Sequence, residues 1–445
     1  MKNRNVIAGL LAGCVMVSAS GAAAQDWPQW RGPNRDAKAA GFNAPNTWPK
    51  ELTQKWKAKV GDGVATPALV GDKLYVFVRE EEDEVIRALD AATGKELWQD
   101  KYEAQPARGP AAGFPGPRSS PTVADGKVVT LGVQGTLSCL DAASGKLLWR
   151  KNDVKGTPKF FTSSSPVVVD GLCVAELGGE SSSSGAMVAY DLATGDEKWK
   201  WTGDGTAYAS PMLLTVDGVK AVVAETAGHI VAIGLADGKP LWQKPFKVRY
   251  NACTPVIDGQ TVIYSGMGQG TTAVKVEKQG DKLAAKELWS NPENSVQFNT
   301  PVVKNGLVFG IAEDDRLFCI NEETGKTAWS NPKGPAAGAR QAGGGGQPGG
   351  KGRGGRGRGG MGRGGMGRGG MGGYRPGYGS IVDAGPVLLS LTPKSELVVF
   401  EPADKEFKQV AKYKVATSPT YAYPVVSGNR IFIKDQDSVT LWTVD

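Results

Sequence analysis

The feature that most constrains this chain is a short pattern, D-x-x-[TS]-G-[KD]-x-x-W, that keeps returning. It reads DAATGKELW up to Trp98, DAASGKLLW up to Trp149 and DLATGDEKW up to Trp199, with NEETGKTAW up to Trp329. A shortened form, LADGKPLW, ends at Trp242, and a degraded one, KLAAKELW, ends at Trp289. Trp56, in TQKWKAKV, keeps the tryptophan without the turn. Successive tryptophans are 40 to 51 residues apart, a period that fits one unit of four strands. A second marker gives the count. Short apolar strands open on a proline at Thr66-Pro67, Ser120-Pro121, Ser165-Pro166, Ser210-Pro211, Thr254-Pro255, Thr300-Pro301, Gly385-Pro386 and Tyr423-Pro424. Proline at the first residue of a strand costs no ladder hydrogen bond. After each marker come a turn such as GDK or DGK, a second apolar run, a hairpin and a third strand. The glycine-containing turn then leads to the strand that carries the tryptophan.

Eight such units imply an all-β fold, an eight-bladed β-propeller of four-stranded antiparallel blades. The last unit supplies only three strands before the chain stops, and an orphan strand at 54–60 precedes the first unit. Pairing of these N- and C-terminal strands would close the ring and remove most of its exposed sheet edge. The tryptophans at 56, 98, 149, 199, 242, 289 and 329 are expected to pack between neighbouring blades and to carry no chemistry.

The 445 residues carry a formal charge of +7, which raises the question of nucleic acid. The distribution argues against it. Eight basic residues (Arg340, Lys351, Arg353, Arg356, Arg358, Arg363, Arg368 and Arg375) fall between Lys333 and Asp383 with no acid among them, and Lys2 and Arg4 stand at the N-terminus. Without these ten the chain carries about −3, so the folded body is near neutral.

Lys2 and Arg4, the apolar run from Val6 to Val17 and the small residues Ala22 to Ala24 together read as an export signal over 1–24. Leu11-Ala12-Gly13-Cys14 also fits a lipobox, with Cys14 as the lipidation site, so secretion and lipid anchoring both stay open, and membrane contact is expected only with the anchor. Cys139, Cys173, Cys253 and Cys319 sit in or beside separate apolar runs and are expected to be buried free thiols. The domain reading is therefore a signal at 1–24, blades 1–6 over 25–330, an insertion over 331–380 and blades 7–8 over 381–445. The insertion is rich in glycine and arginine and poor in apolar residues, so it is expected to be disordered.

The repeat resembles the pyrroloquinoline-quinone-type repeat of quinoprotein alcohol dehydrogenases and of the BamB subunit of the outer-membrane β-barrel assembly machine. The segment DWPQWRGPNRD resembles the mature start of exported propellers in planctomycete-like bacteria. This resemblance implies a propeller of the periplasm or cell envelope, and it leaves enzyme and scaffold both open. The enzymes hold pyrroloquinoline quinone with calcium on Glu, Asn and Asp, use an aspartate base, and have adjacent cysteines above the quinone. Adjacent cysteines are absent here. Acidic residues do occur in hairpins, as in Glu80 to Glu84, but runs of this kind are ordinarily solvated turns. The lone His229 is expected to be structural, and no catalytic or metal motif is present.

The reading favoured is a monomeric, non-enzymatic, BamB-like binding or scaffold protein without cofactor or metal. Its partner would be an envelope protein or an anionic polymer. The alternative is a periplasmic quinoprotein oxidoreductase using pyrroloquinoline quinone and calcium. Residues just before the opening prolines should ring the channel mouth. Those at 118, 161, 208, 249, 250, 251, 298, 299 and 421 (Arg118, Phe161, Tyr208, Arg249, Tyr250, Asn251, Phe298, Asn299 and Tyr421) are the candidate partner-binding residues.

Overall fold

The computed structural model describes residues 26–331 and 376–445. The export signal, Cys14 and nearly all of the Gly/Arg-rich insertion lie outside them. Among the described residues, strands pair into eight four-stranded antiparallel sheets, the blades of a β-propeller. Blades 1 to 7 span 68–103, 122–151, 167–201, 212–245, 256–291, 302–330 and 380–414, each built from consecutive strands. The eighth joins Val425–Ser427, Arg430–Lys434 and Ser438–Thr443 to an outer strand from the other end of the chain, Thr53–Lys59. Thr53 lies opposite Thr443, and Lys59 opposite Ser438.

Both faces of a blade are covered by its neighbours, so the middle strands need no polar side. Leu74 to Val78 of blade 1 is buried at every position. The outer strand Glu96–Glu103 instead alternates exposed and half-buried residues. The repeated turn explains how blades lock together. In blade 1, Asp90 Oδ1 accepts hydrogen bonds from the Thr93 backbone N–H (2.8 Å) and hydroxyl (2.7 Å). That turn requires Gly94 at φ +71°. A Cβ on Gly94 would stand 2.7 Å from the Trp56 ring, which belongs to blade 8. The Trp56 indole N–H donates to the Ala91 carbonyl in the same turn (3.2 Å). The glycine and tryptophan of the motif thus serve different seams: each glycine seats the indole of the preceding blade. Trp98, Trp149, Trp199 and Trp289 dock in the same way over Gly145, Gly195, Gly238 and Gly325. Trp329 and Trp442 donate to Ala403 and Val415 carbonyls. Trp242 has no such turn to meet and packs on the cluster that contains Val276 and Leu283 of blade 5.

The Ser/Thr-Pro marker has a second role. Each backbone N–H at this position donates to the hydroxyl of the matching residue one blade on. The chain runs from Tyr423 to Thr66 (2.9 Å), Ser120 (3.1 Å), Ser165 (3.0 Å), Ser210 (2.9 Å), Thr254 (2.8 Å) and Thr300 (3.2 Å). Blade 7 breaks the pattern. Its first strand is Ser380–Ala384, so Tyr378-Gly379 occupies the marker position and Gly385-Pro386 lies in the following turn, with Gly385 at φ +76°. Asp-Ala-Gly-Pro replaces the usual turn there, which shifts the apparent proline marker by one element.

Residues 27–43 run across the ring axis. Trp27 is fully buried and makes two backbone hydrogen bonds with Leu69 of blade 1 (2.7 and 2.8 Å). Pro28 O accepts from Val123 N of blade 2 (2.7 Å), Ala39 N donates to Asp383 O of blade 7 (2.7 Å), and Asn43 N donates to Gly428 O of blade 8 (2.8 Å). Arg31 reaches Pro301 O of blade 6 (2.7 Å), and Arg35 reaches Ser165 O (3.0 Å) and Pro166 O (2.9 Å) of blade 3. This segment plugs the channel on the face of the turns between first and second strands.

Candidate functional site: an aromatic funnel on the channel axis

Among the described residues the opposite mouth of the channel forms a cavity of about 520 Å³. Its floor is Trp30 of the plug, with Tyr423 packed edge-on against it at 5.8 Å between ring centroids. Thr66, Ser120, Ser210, Thr254 and Thr300 of the hydroxyl ring also line it. The wall above is aromatic because the loops leading into successive first strands bring rings to the axis. Phe160 meets Tyr250 at 5.5 Å, Tyr250 meets Phe298 at 5.3 Å, and Phe298 stacks on Tyr378 at 4.2 Å. Tyr378 meets Tyr421 at 5.2 Å, and Tyr421 meets Phe114 at 4.8 Å. The rings contact one another around the cavity and leave its centre open.

Seven of the nine residues picked from the sequence line this cavity: Arg118, Tyr208, Arg249, Tyr250, Phe298, Asn299 and Tyr421. Two do not. Phe161 takes a left-handed backbone (φ +69°), and it is Phe160 that faces the funnel. Asn251 is buried, and its carboxamide is spent on Thr226 O (2.7 Å), Phe246 O (3.1 Å) and Val248 N (3.1 Å). Asn299 lines the funnel, but its amide nitrogen holds Ile311 O (2.7 Å) and Gly377 O (3.3 Å), so it braces the wall. Sequence reasoning missed Trp30, Phe114 and Tyr378. Trp30 belongs to the plug, Phe114 to the loop around Gly109–Ala111, and Tyr378 to the end of the glycine-rich stretch, and none of them precedes a proline marker.

The charge of the site is one-sided. Arg118 Nη2 donates to Phe114 O (2.8 Å) and Ala111 O (3.3 Å), while its Nη1 is buried with no hydrogen-bond partner. Burial lowers the pKa of this guanidinium. Arg249 lies over Tyr250 at 5.2 Å. Beneath the floor, Arg31 and Arg35 stand 5.5 and 5.6 Å from the Trp30 ring. Both are buried, and their hydrogen bonds go to carbonyls, to Tyr423 and to Gln29 rather than to a carboxylate. Burial and the neighbouring Arg31 bring the Arg35 pKa down to about 9. Among the described residues the lining contains no aspartate or glutamate. Glu180 stands behind it, accepting from the Tyr208 hydroxyl and from Lys159 N (2.9 Å). Burial, then this carboxylate, push the Tyr208 phenol up.

Three other candidate groups fall elsewhere. Glu84, read as part of a solvated turn, is fully buried. It accepts from the Tyr102 hydroxyl (2.5 Å) and Val133 N (2.9 Å), because the hairpin folds it under blade 2. His229 Nδ1 meets Asp204 Oδ2 at 2.9 Å, and that oxygen also accepts from Thr226 Oγ1 (2.7 Å) and Gly228 N (2.8 Å). The group braces a hairpin of blade 4. The cysteines at 139, 173, 253 and 319 are free and buried.

Comparison with known proteins agrees with this architecture. A family model described as outer membrane protein assembly factor BamB matches residues 51–112 and 81–331. The assembly factor BamB of Burkholderia pseudomallei is 26% identical over 308 residues, covering 64% of this chain and 70% of that protein. A quinohemoprotein alcohol dehydrogenase of Comamonas testosteroni is 30% identical over 195 residues, but this covers 42% of this chain and 27% of the dehydrogenase. Among solved structures, BamB from Moraxella catarrhalis superposes with a TM-score of 0.58 at 13% identity, covering 88% of this chain and 99% of that one. The Comamonas enzyme gives 0.61 at 16% identity, covering 96% and 81%. At these identities the structures speak for the fold alone. The family match, which spans more than half of the chain, goes further: this protein belongs to the BamB-like family of PQQ-type repeat β-propellers.

Proposed function

We propose that this protein is a non-catalytic binding propeller of the cell envelope that engages a protein partner on its open, aromatic face. The observation that carries the reading is the funnel: one channel mouth is sealed by the plug, and the other presents aromatic rings and arginines around an accessible cavity. Aromatic residues and arginine dominate the energetics of protein interfaces: the rings bury large rigid surfaces with few rotatable bonds, and the guanidinium offers a planar fork of donors. The relatives named as outer-membrane assembly factors support a protein as partner, with a role in outer-membrane protein assembly.

The quinoprotein alternative requires calcium beside the quinone. Calcium is held by oxygen ligands, carboxylates foremost. Among the described residues the funnel lining has no carboxylate, and its charged side chains are arginines, so the residues present do not fit that ion. Glu176 and Glu225 are buried outside the lining, and burial favours their neutral forms. The test is capture from envelope extract with the intact protein and with a Tyr250→Ala/Phe298→Ala variant. A partner retained by the first and lost by the second is the expected result. Turnover of alcohols or sugars after addition of pyrroloquinoline quinone and calcium would overturn the reading.

A further inference from the structure

We propose that the funnel receives the C-terminal end of a polypeptide, with apolar or aromatic last residues in the aromatic collar and the terminal carboxylate on Arg118 and the hydroxyl floor. The inference deepens the binding function proposed above and rests on it.

Three observations converge. The first is unbalanced charge. Arg118 and Arg249 line the cavity, Arg31 and Arg35 lie under its floor, and none of the four forms an ion pair among the described residues. Asp62 and Glu84 act on Arg118 only through space, and Glu84 is spent on Tyr102 and Val133. Arg31 and Arg35 are buried and Arg118 half-buried, while Arg249 is exposed at the rim. Leaving the buried cations without a counter-charge is costly, and a bound anion would offset that cost. Arg118 lines the cavity, and its Nη1 is a buried donor without a hydrogen-bond partner.

The second is the polarity of the floor. The Ser120, Ser210, Thr254 and Thr300 oxygens each accept one backbone N–H, which leaves each hydroxyl hydrogen to give to a ligand. A floor of donors under a guanidinium suits a carboxylate.

The third is shape. Trp30 and the plug make the cavity blind. A strand of nucleic acid or polysaccharide passing through would need two exits, whereas a chain end needs one. The collar then takes apolar or aromatic side chains, edge-to-face, as its own rings already pack.

The probe is an acetylated hexapeptide ending in tyrosine and phenylalanine, titrated calorimetrically into the full-length protein. It is compared with its C-terminally amidated twin and with benzoate as a small aromatic carboxylate. The free acid is expected to bind, and amidation should weaken it about tenfold or more. Arg118→Gln should weaken the free acid similarly and leave the amide unchanged. Because Arg118 also holds the Ala111 and Phe114 carbonyls, Arg249→Gln and Tyr250→Ala are measured beside it, and both should weaken the free acid. Equal binding of acid and amide, or no binding of either, overturns the proposal. Benzoate binding as tightly as the peptide also overturns it, since the funnel would then be a small-anion pocket. Partner capture separates the two readings. Capture lost in Tyr250→Ala/Phe298→Ala without any binding of the peptide sinks only the chain-end proposal. Peptide binding with a captured partner indifferent to those substitutions sinks the proposed function instead.

Discussion

At the scale of single residues, the motif that reveals the repeat also states where it is vulnerable. A Cβ on Gly145 would approach Trp98 to 2.5 Å, and the residue sits at φ +73°. Gly145→Ala must strain the turn or push the indole off the Ala142 carbonyl. A loss of about 1–3 kcal/mol is expected, read as a lower urea midpoint. Buried acids give a second prediction. Glu225 is fully buried with neither carboxyl oxygen hydrogen-bonded, and Glu176 is buried beside it with one oxygen unpaired. Burial raises Glu176 to about 8, and burial followed by Glu176 raises Glu225 well above its usual range. The folded state therefore keeps protons that the unfolded chain has released. Stability should fall as pH rises from the ordinary carboxyl value of 4.5 toward 8. Glu176→Gln/Glu225→Gln should flatten that slope; melting curves from pH 5 to pH 8 that stay parallel for the two proteins would contradict it. Neither burial was legible in the sequence, where Glu176 follows Leu172-Cys173-Val174-Ala175 as the polar end of an apolar run. The blade that covers it comes from residues about fifty positions away.

At the scale of elements, strands were easier to read than the segment before them. The strand pattern follows from local chemistry: proline at the start, glycine in the turn, an apolar run covered on both faces. The stretch DWPQWRGPNRD has no periodicity, and its fold is decided by what it meets. Trp27 disappears completely, and Arg31 and Arg35 span to blades 6 and 3. Trp27→Ala should cost about 3–5 kcal/mol through the cavity it leaves. It should also loosen the funnel floor, because Trp30 is held three residues away. Thermal unfolding measures the first effect. Fluorescence quenching of the remaining tryptophans by a small neutral quencher measures the second, with increased access expected. The misread marker of blade 7 has the same origin: Gly385-Pro386 satisfies the local rule for a strand start and equally the rule for a turn, and only the register of Ser380–Ala384 with Val387–Leu391 decides.

For the whole molecule, the decisive event is closure, and the sequence announced it through a three-stranded last unit and an orphan first strand. What it did not announce is the clasp at that seam. Lys434 is buried, and its ammonium donates to the carbonyls of Gly61 (3.3 Å), Gly63 (2.9 Å), Asp435 (2.7 Å) and Gln436 (2.9 Å). Gly61 and Gly63 follow directly on the closing strand Thr53–Lys59, so one side chain ties the two ends of the chain together. Burial lowers this lysine to about 8, yet four carbonyls share its three hydrogens. Lys434→Met keeps the aliphatic stem and removes every one of those bonds; Gln436 O keeps the Gly63 N–H (3.3 Å), while the others lose this donor, at a cost of about 2–4 kcal/mol. A ring of similar blades opens first where a seam is weakest, since every other blade is continuous in sequence. Amide hydrogen exchange in the variant should therefore accelerate first in Thr53–Lys59 and its partner Ser438–Thr443, with blades 2 to 5 keeping their protection. Uniform acceleration around the ring would show that the propeller unfolds as one unit and that the seam has no special place in its opening.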